Sequence, residues 1–324
     1  MSLRRIAAMG AVCLLALAAI APSLNAQTYP TRPIRVIVPY APGGGSDILA
    51  RLLQQKASED LGQQLVVDNR PGAASTLGTQ LIARAVPDGY TIGMIDTALV
   101  INPGLFAQLP YDAAKDFAPI TIVATSPLVF IVHPSVPAAN VKELVALAKA
   151  KPGTLNFSSA GNGSASHLAG EQFRTAAGID VVHVPYKGAG PQTGDLVAGQ
   201  SMMGFTTPAS VMPHVRAGKV RAFGISGPRR SPSLPGLPTL TEQGYAVDAM
   251  PFWALVAPAG TPKPVIARLH KAMVKQIRTP EFRDRLVDLA FDPVGNTPEE
   301  FGALIRAEIP KWKKVIQVAG VKVE

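Results

Sequence analysis

Two stretches of this 324-residue chain carry residues able to bind an anion through the backbone alone: Val36–Asp47, reading VIVPYAPGGGSD, and Leu155–His167, reading LNFSSAGNGSASH. In each, an apolar strand-like run passes into a glycine-rich turn and then a helix start. Glycine lets the backbone approach a ligand closely, and the first turn of a helix offers unpaired N–H groups and a partial positive charge. The guest that suits such a turn is a carboxylate or a phosphate. The expected donors are the amides of Gly44, Gly45 and Ser46 from the first turn and of Ala160, Gly161 and Ser164 from the second. Hydrogen bonds to a charged group contribute roughly 1.5–3 kcal/mol each, so three or four are enough for a micromolar constant, which takes about −8 kcal/mol. A pair of such turns implies a site assembled from two lobes.

Other chemistries find less support. The sequence holds no G-x-S-x-G, no H-E-x-x-H, no G-x-x-x-x-G-K-[ST], and no G-x-G-x-x-G after the first strand. His167 and Glu171 stand one helical turn apart and read either as a partial metal pair lacking a third ligand or as polar residues at a helix start. Ser46 and Asp47 read as nucleophile and acid or, better, as helix-capping residues. The net charge of +9 is scattered rather than striped, and aromatic residues make up 6% of the chain, which argues against a nucleic-acid surface. A mildly positive field favours small anions.

The elements that must position the turns alternate in type. Ile34–Pro39 reads as a short buried strand, and Ile48–Leu61 places apolar residues on one helical face. Leu65–Asp68 is the next strand, Gly72–Ala85 a helix, and Tyr90–Ile95 a strand entered through the turn Pro87-Asp88-Gly89. Strand–helix alternation of this kind is the unit of a parallel, doubly wound α/β sheet. A second α/β region begins near Pro127, with a strand at Leu128–Val132 and a helix at Val141–Ala150. The second glycine turn follows, then a helix from about His167 to Ala177, a strand at Val181–Val184 and a helix at Pro191–Ala198. Val38-Pro39-Tyr40 and Val184-Pro185-Tyr186 form a faint internal echo, each preceding a Gly/Pro loop and a helix. Ser226–Pro238, rich in proline, reads as a rigid surface connection. Phe252–Ala257 is an apolar strand, and the tail is helical, with Thr297 and Glu300 forming a capping box.

The N-terminus reads as a secretory signal peptide over 1–26: Arg4 and Arg5, an apolar run from Ile6 to Ile20, and a small residue at Ala26. Cys13, the only cysteine, falls within it, so the chain beyond has no disulfide or thiolate metal site. About 298 residues remain, enough for two domains.

From Tyr29 to about Ala319 the chain resembles the substrate-binding proteins of tripartite tricarboxylate transporters, of the Bordetella uptake gene (Bug) type. The motifs are YPTRPIRVIVPYAPGGGSDILAR at 29–51, DNRPGAAS at 68–75, DGYT at 88–91, INPGLF at 101–106, GTLNFSSAGNGSASHLAGEQF at 153–173, VPYKGAGP at 184–191, AGKVRAFGIS at 217–226 and APAGTPKPVIARLH at 257–270. The resemblance implies a type II periplasmic binding protein of two lobes, with two chain crossovers between them. On this reading lobe 1 comprises 27–124 plus 250–324 and lobe 2 comprises 125–249. It further implies a periplasmic, monomeric, cofactor-free protein that closes on a small carboxylate and hands it to membrane permease subunits. A sensor subunit serving a membrane receptor, or an enzyme acting on a carboxylate, are the other readings.

Carried over, the ligand loops are Ala41–Asp47 (with Tyr40 before it and Gly43 within it), Ser158–His167 (with Ser159), and Tyr186, Lys187 and Gly188. Lys187 is the one cation in these loops, either a ligand contact or a solvated rim charge. At two positions the chain departs from the family pattern: Asp96-Thr97 after the third strand and Thr206 after the Phe205 strand. Both are expected to face the cleft. Asp96 would repel a second carboxylate and attract a donor on the ligand, or else pair with a nearby arginine.

Overall fold

The computed structural model describes residues 29–319, so the signal peptide expected over 1–26 lies outside the described residues. Two sheets carry the fold. The first is ordered β11-β4-β10-β3-β1-β2, from β1 (Ile34–Val38), β2 (Leu65–Asn69), β3 (Thr91–Asp96), β4 (Phe117–Thr125), β10 (Phe252–Pro258) and β11 (Asp292–Pro293). Strand β1 pairs in parallel with β2 and β3, while β10 runs antiparallel between β3 and β4. The second sheet, ordered β7-β6-β8-β5-β9, comprises β5 (Val129–Val132), β6 (Asn156–Ser159), β7 (Val182–Pro185), β8 (Met203–Thr206) and β9 (Arg221–Ile225).

The helices are α1 (Gly45–Leu61), α2 (Thr76–Ala83), α3 (Ala98–Leu105), α4 (Val141–Ala150), α5 (Ala165–Ala177), α6 (Ala189–Val197), α7 (Pro208–Arg216), α8 (Lys263–Ile277), α9 (Pro280–Asp288) and α10 (Pro298–Ala319). Side chains alternate across each strand, so both faces of a sheet need cover. In β1, Val36 and Val38 pack with Leu49, Leu53 and Trp253 on one face, while Ile37 packs with Leu99, Phe252 and Phe301 on the other. In β5, Phe130 and Val132 face Phe173 and Phe205, whereas Val129 and Ile131 face Leu196 and Val211. These double-sided cores make each sheet the centre of an α/β layer.

The chain leaves the first sheet after Thr125 and re-enters it at Phe252, and the two crossing segments are bonded together. Leu128 N donates to Ser226 Oγ (2.8 Å), Ser226 N donates to the Leu128 carbonyl (2.8 Å), and Ser226 Oγ donates to the Ala249 carbonyl (2.6 Å). Beside them Ser126 Oγ donates to the Ala290 carbonyl at 2.7 Å. Buried serines thus supply the donors and acceptors that strand ladders provide elsewhere.

Several sequence expectations require correction. The helix expected from Gly72 begins at Thr76, because Ala73, Ala74 and Ser75 hold φ of 45°, 53° and 70°, a left-handed run that cannot enter a right-handed helix. The helix expected from His167 begins two residues earlier, where Ser164 caps it by accepting from His167 N at 3.2 Å. Ser226–Pro238 is no mere surface connection, for Ser226, Ser231 and Leu234 are buried, Leu234 with Val129, Ile131 and Val211. The capping box forms with both reciprocal bonds, Thr297 N to Glu300 Oε2 (2.8 Å) and Glu300 N to Thr297 Oγ1 (3.2 Å).

Candidate functional site

The first glycine turn is held open from behind. Gly43, at φ 88°, turns its amide to Asp47 Oδ2 (3.0 Å), and Asp47 Oδ1 accepts from Arg51 Nε (3.0 Å) and Asn69 Nδ2 (3.1 Å). Burial raises the Asp47 carboxyl, yet the bonds from Arg51, Gly43 and Asn69 outweigh it and hold the group below its ordinary range. Asp47 therefore shapes the turn and does not line the cleft. The amides of Gly44, Gly45 and Ser46 donate to no atom of the described residues. Gly45 leaves no room for a side chain as the turn stands: a Cβ there would lie 2.7 Å from Trp253 Cζ2, so one of the two would have to shift.

The second turn is built differently, and the expected donor set is corrected accordingly. Ala160 N donates to Ser166 Oγ (2.9 Å), Gly161 N to Ser159 Oγ (3.1 Å) and Ser164 N to the Gly161 carbonyl (3.1 Å). All three amides are committed inside the loop. The uncommitted amides that border the cleft belong to Ala165 and Ser166, in the first turn of α5.

These turns meet across the cleft at a cavity of about 40 Å³. Its wall includes Gly44, Gly45 and Ser46 at the start of α1, Ser164, Ala165 and Ser166 at the start of α5, Ala189 at the start of α6, and Thr206 and Thr207 leading into α7. Four helix N-termini, each equivalent to roughly half a positive charge, thus border one small space. Tyr40, Asp96, Leu128, Ala160, Gln192, Pro251 and Trp253 complete the wall. The lobes touch directly around it: Ala41 N donates to the Lys187 carbonyl (2.9 Å), Ser210 Oγ donates to the Gly43 carbonyl (2.9 Å), and Gly188 packs against Ala41 and Tyr40.

Asp96 ends β3, and its Oδ1 accepts from the Tyr40 hydroxyl (3.0 Å) and Ala98 N (2.9 Å). Burial pushes its carboxyl up to about 6. Among the described residues no basic side chain pairs with it, which removes the arginine alternative.

Of the other residues singled out by sequence, Thr97 lies behind the wall, its Oγ1 accepting from Phe252 N at 2.9 Å. Ser159 Oγ bonds His183 Nε2 (2.7 Å), and His183 stacks on His167 with ring centroids 4.1 Å apart. His167 Nδ1 accepts from Gly163 N at 3.3 Å, so this histidine braces the turn from beneath. Its Nε2 is 4.0 Å from Glu171 Oε1, and among the described residues no group of three His, Cys, Asp or Glu side chains could hold a metal. Tyr186 directs its hydroxyl to Asp195 (2.8 Å), away from the cleft. The Lys187 side chain is exposed and absent from the wall. Sequence reading placed Ala165 and Ser166 within the second loop without singling them out, and it missed Leu128, Ala189, Gln192, Thr207, Pro251 and Trp253. Leu128 and Pro251 sit at the crossovers, and only the fold brings them to the site.

A two-lobed α/β protein whose crossovers flank an anion-suited cleft is a periplasmic solute-binding protein in class. The chain matches the model of the tripartite tricarboxylate transporter family receptor (TctC) over residues 49–321. It is 34% identical to protein BugT of Bordetella pertussis over 96% of both chains. Its structure is similar to that of the periplasmic binding protein BugD, with TM-score 0.88, 34% identity, and 91% of this chain and 100% of that chain covered. Two further neighbours, from Rhodopseudomonas palustris, are Rpa4515 with adipate and MatC with bound malate. The first has TM-score 0.88 and 30% identity, covering 91% of this chain and 99% of that one. The second has TM-score 0.83 and 31% identity, covering 89% of this chain and 100% of that one. The chain belongs to the TctC receptor family, of Bug type; it is a solute-binding receptor and not an enzyme.

Proposed function

We propose that the protein captures a small carboxylate between its lobes and delivers it to the permease of a tripartite tricarboxylate transporter. The observation that carries this reading is the convergence of four helix N-termini on a cavity that, among the described residues, has no cationic side chain in its wall. A carboxylate held there takes bonds from the amides of Gly44, Gly45 and Ser46 on one side and of Ala165 and Ser166 on the other. Bound adipate and malate in two structural neighbours, 30% and 31% identical to this chain, support the ligand class. A cavity of about 40 Å³ has room for about three water molecules, so a ligand enters only when the lobes part, and closing brings the second set of amides to it.

In this reading the lobes are 27–124 plus 250–324 and 125–249, the crossing segments around Ser126 and Ser226 are the hinge, and the receptor acts as a monomer. The N-terminal 26 residues direct export and are removed near Ala26. The test is a thermal-shift and calorimetric screen of the mature protein, stripped of ligand by unfolding and refolding, against carboxylates, sugars and phosphates. Ligand at a hundred times its dissociation constant adds about 2.7 kcal/mol of stability, a shift of several degrees. Carboxylate hits alone are expected; a shift with sugars or phosphates and none with carboxylates overturns the reading.

A further inference from the structure

The cavity wall offers donors at its helix ends and unmet acceptors elsewhere. Asp96 is the one residue of the wall that carries a full charge. The Tyr40 hydroxyl and Ala98 N bond Oδ1, the residue's own backbone amide also bonds the carboxylate, and among the described residues no other residue donates to Oδ2. Gln192, wholly buried, donates through Nε2 to the carbonyls of Ser158 (2.9 Å) and Phe205 (2.8 Å), which fixes the orientation of its amide. Among the described residues its buried Oε1 has no partner. A buried acceptor in that condition costs free energy unless a ligand supplies the donor.

We propose that the carboxylate bound by this cleft also carries a protonated amine, and that Asp96, with Gln192 in the same cavity wall, receives the ammonium. The proposal rests on the carboxylate reading above and names the other end of the ligand. A dianion would bring its second carboxylate against the charge of Asp96 and the bare oxygen of Gln192. A hydroxyl gives one donor and leaves the Asp96 charge uncompensated in a largely buried place. An ammonium gives three donors and the opposite charge. A zwitterion therefore satisfies both halves of the cavity, its carboxylate at the helix ends and its amine at the acceptors.

The test is calorimetry at pH 7.5 with matched probes: β-alanine against succinate, 4-aminobutyrate against glutarate, and alanine against lactate. At least one amine is expected to bind tenfold or more tightly than its partner, and the pair that responds reports the spacing. In Asp96→Asn, which keeps an oxygen for Ala98 N and Tyr40, that preference should vanish while the partner acid binds equally or better.

A second measurement uses the unaltered protein. Between pH 7.5 and 5 the preference for alanine over lactate should shrink as Asp96 takes a proton, whereas the alanine amine and the carboxylates of both probes stay charged. Of the groups facing Asp96, Tyr40 and Tyr111 are raised by burial and do not titrate there, and beneath the second loop His167 and His183 are held down to about 3 and about 4 by burial. Dicarboxylates or lactate binding more tightly than every amine, or a preference unchanged in Asp96→Asn, overturns the proposal and leaves the carboxylate reading intact. Silence toward all six probes also overturns the proposal, while the carboxylate reading falls only if the broad screen above answers to sugars or phosphates and to no carboxylate.

Discussion

The two glycine-rich turns use nearly the same residue alphabet and reach opposite hydrogen-bonding states. In the first, a single side chain, Asp47, draws Gly43 N back and so leaves Gly44, Gly45 and Ser46 facing the cavity with free amides. In the second, Ser159, Ser164 and Ser166 saturate their own loop, and the free amides move down to the first turn of α5. Glycine content therefore marks where backbone can approach a ligand. Which amides remain available is decided by the acceptors placed among the glycines.

The strongest way to break this contrast is at Gly45. In Gly45→Ala the new Cβ meets Trp253, which is 3% exposed and cannot retreat, so the start of α1 must move. Overpacking of this kind costs about 1–3 kcal/mol of stability, and the displaced amides should lower ligand affinity by a hundredfold or more. Gly44→Ala is the control, since its Cβ would find Ala189 at an ordinary 3.4 Å and its φ of −89° suits any residue. Its affinity should fall by less than tenfold. Titration of both variants with the same ligand checks the pair, and equal losses would mean that close approach at Gly45 is not what the site needs.

This contrast also explains how far sequence could reach. Strand β1, helix α1 and helix α4 are legible because apolar periodicity and local caps agree, as where Asn140 accepts from Glu143 N at the start of α4. Helix α3 is not, for Pro103 and Gly104 interrupt a segment whose helix is supported by packing against Phe301 and Trp312. Nor does local chemistry announce the left-handed run at Ala73–Ser75, which is anchored from afar as Asn102 Nδ2 donates to the Ala74 carbonyl at 3.2 Å. At the site, the glycine turns and Asp96 were readable as types in a pattern. Gln192 and Trp253 were not, since each acquires its meaning only when a distant strand or crossover sets it against the turns. A faint signal existed for Gln192 alone, a polar residue on the buried side of α6.

A milder perturbation falls on the second turn. Ser166→Ala removes the acceptor of Ala160 N and one bond to Ser164 Oγ while leaving the amides of Ala165 and Ser166 in place. The two hydrogen bonds are worth about 1 kcal/mol each, which should lower the melting temperature by about 3 °C. Affinity should fall less than tenfold, because the lost bonds organise the loop and do not touch the ligand. A loss as large as that of Gly45→Ala would make the Ser166 hydroxyl a direct contact and bring the second turn closer to the first in kind.

The smallest effect is expected at Lys187, the one cation of the loops. Its backbone closes the lobes by accepting from Ala41 N, a bond that any residue at that position supplies. Its ammonium is exposed at the rim, where salt at physiological strength screens charges over about 8 Å and exposed pairs are worth at most about 1 kcal/mol. Lys187→Met should therefore change affinity by less than twofold, measured by titration at 0.15 M and again at 1 M salt. A tenfold loss at low salt that disappears at high salt would put a cation in the grip. The anion would then be held in part by a mobile charge, and the four helix ends would no longer account for binding by themselves. A flat response at both salt concentrations is what neutral donors on a rigid frame require, since their dipoles are fixed by the fold and lie where salt does not reach.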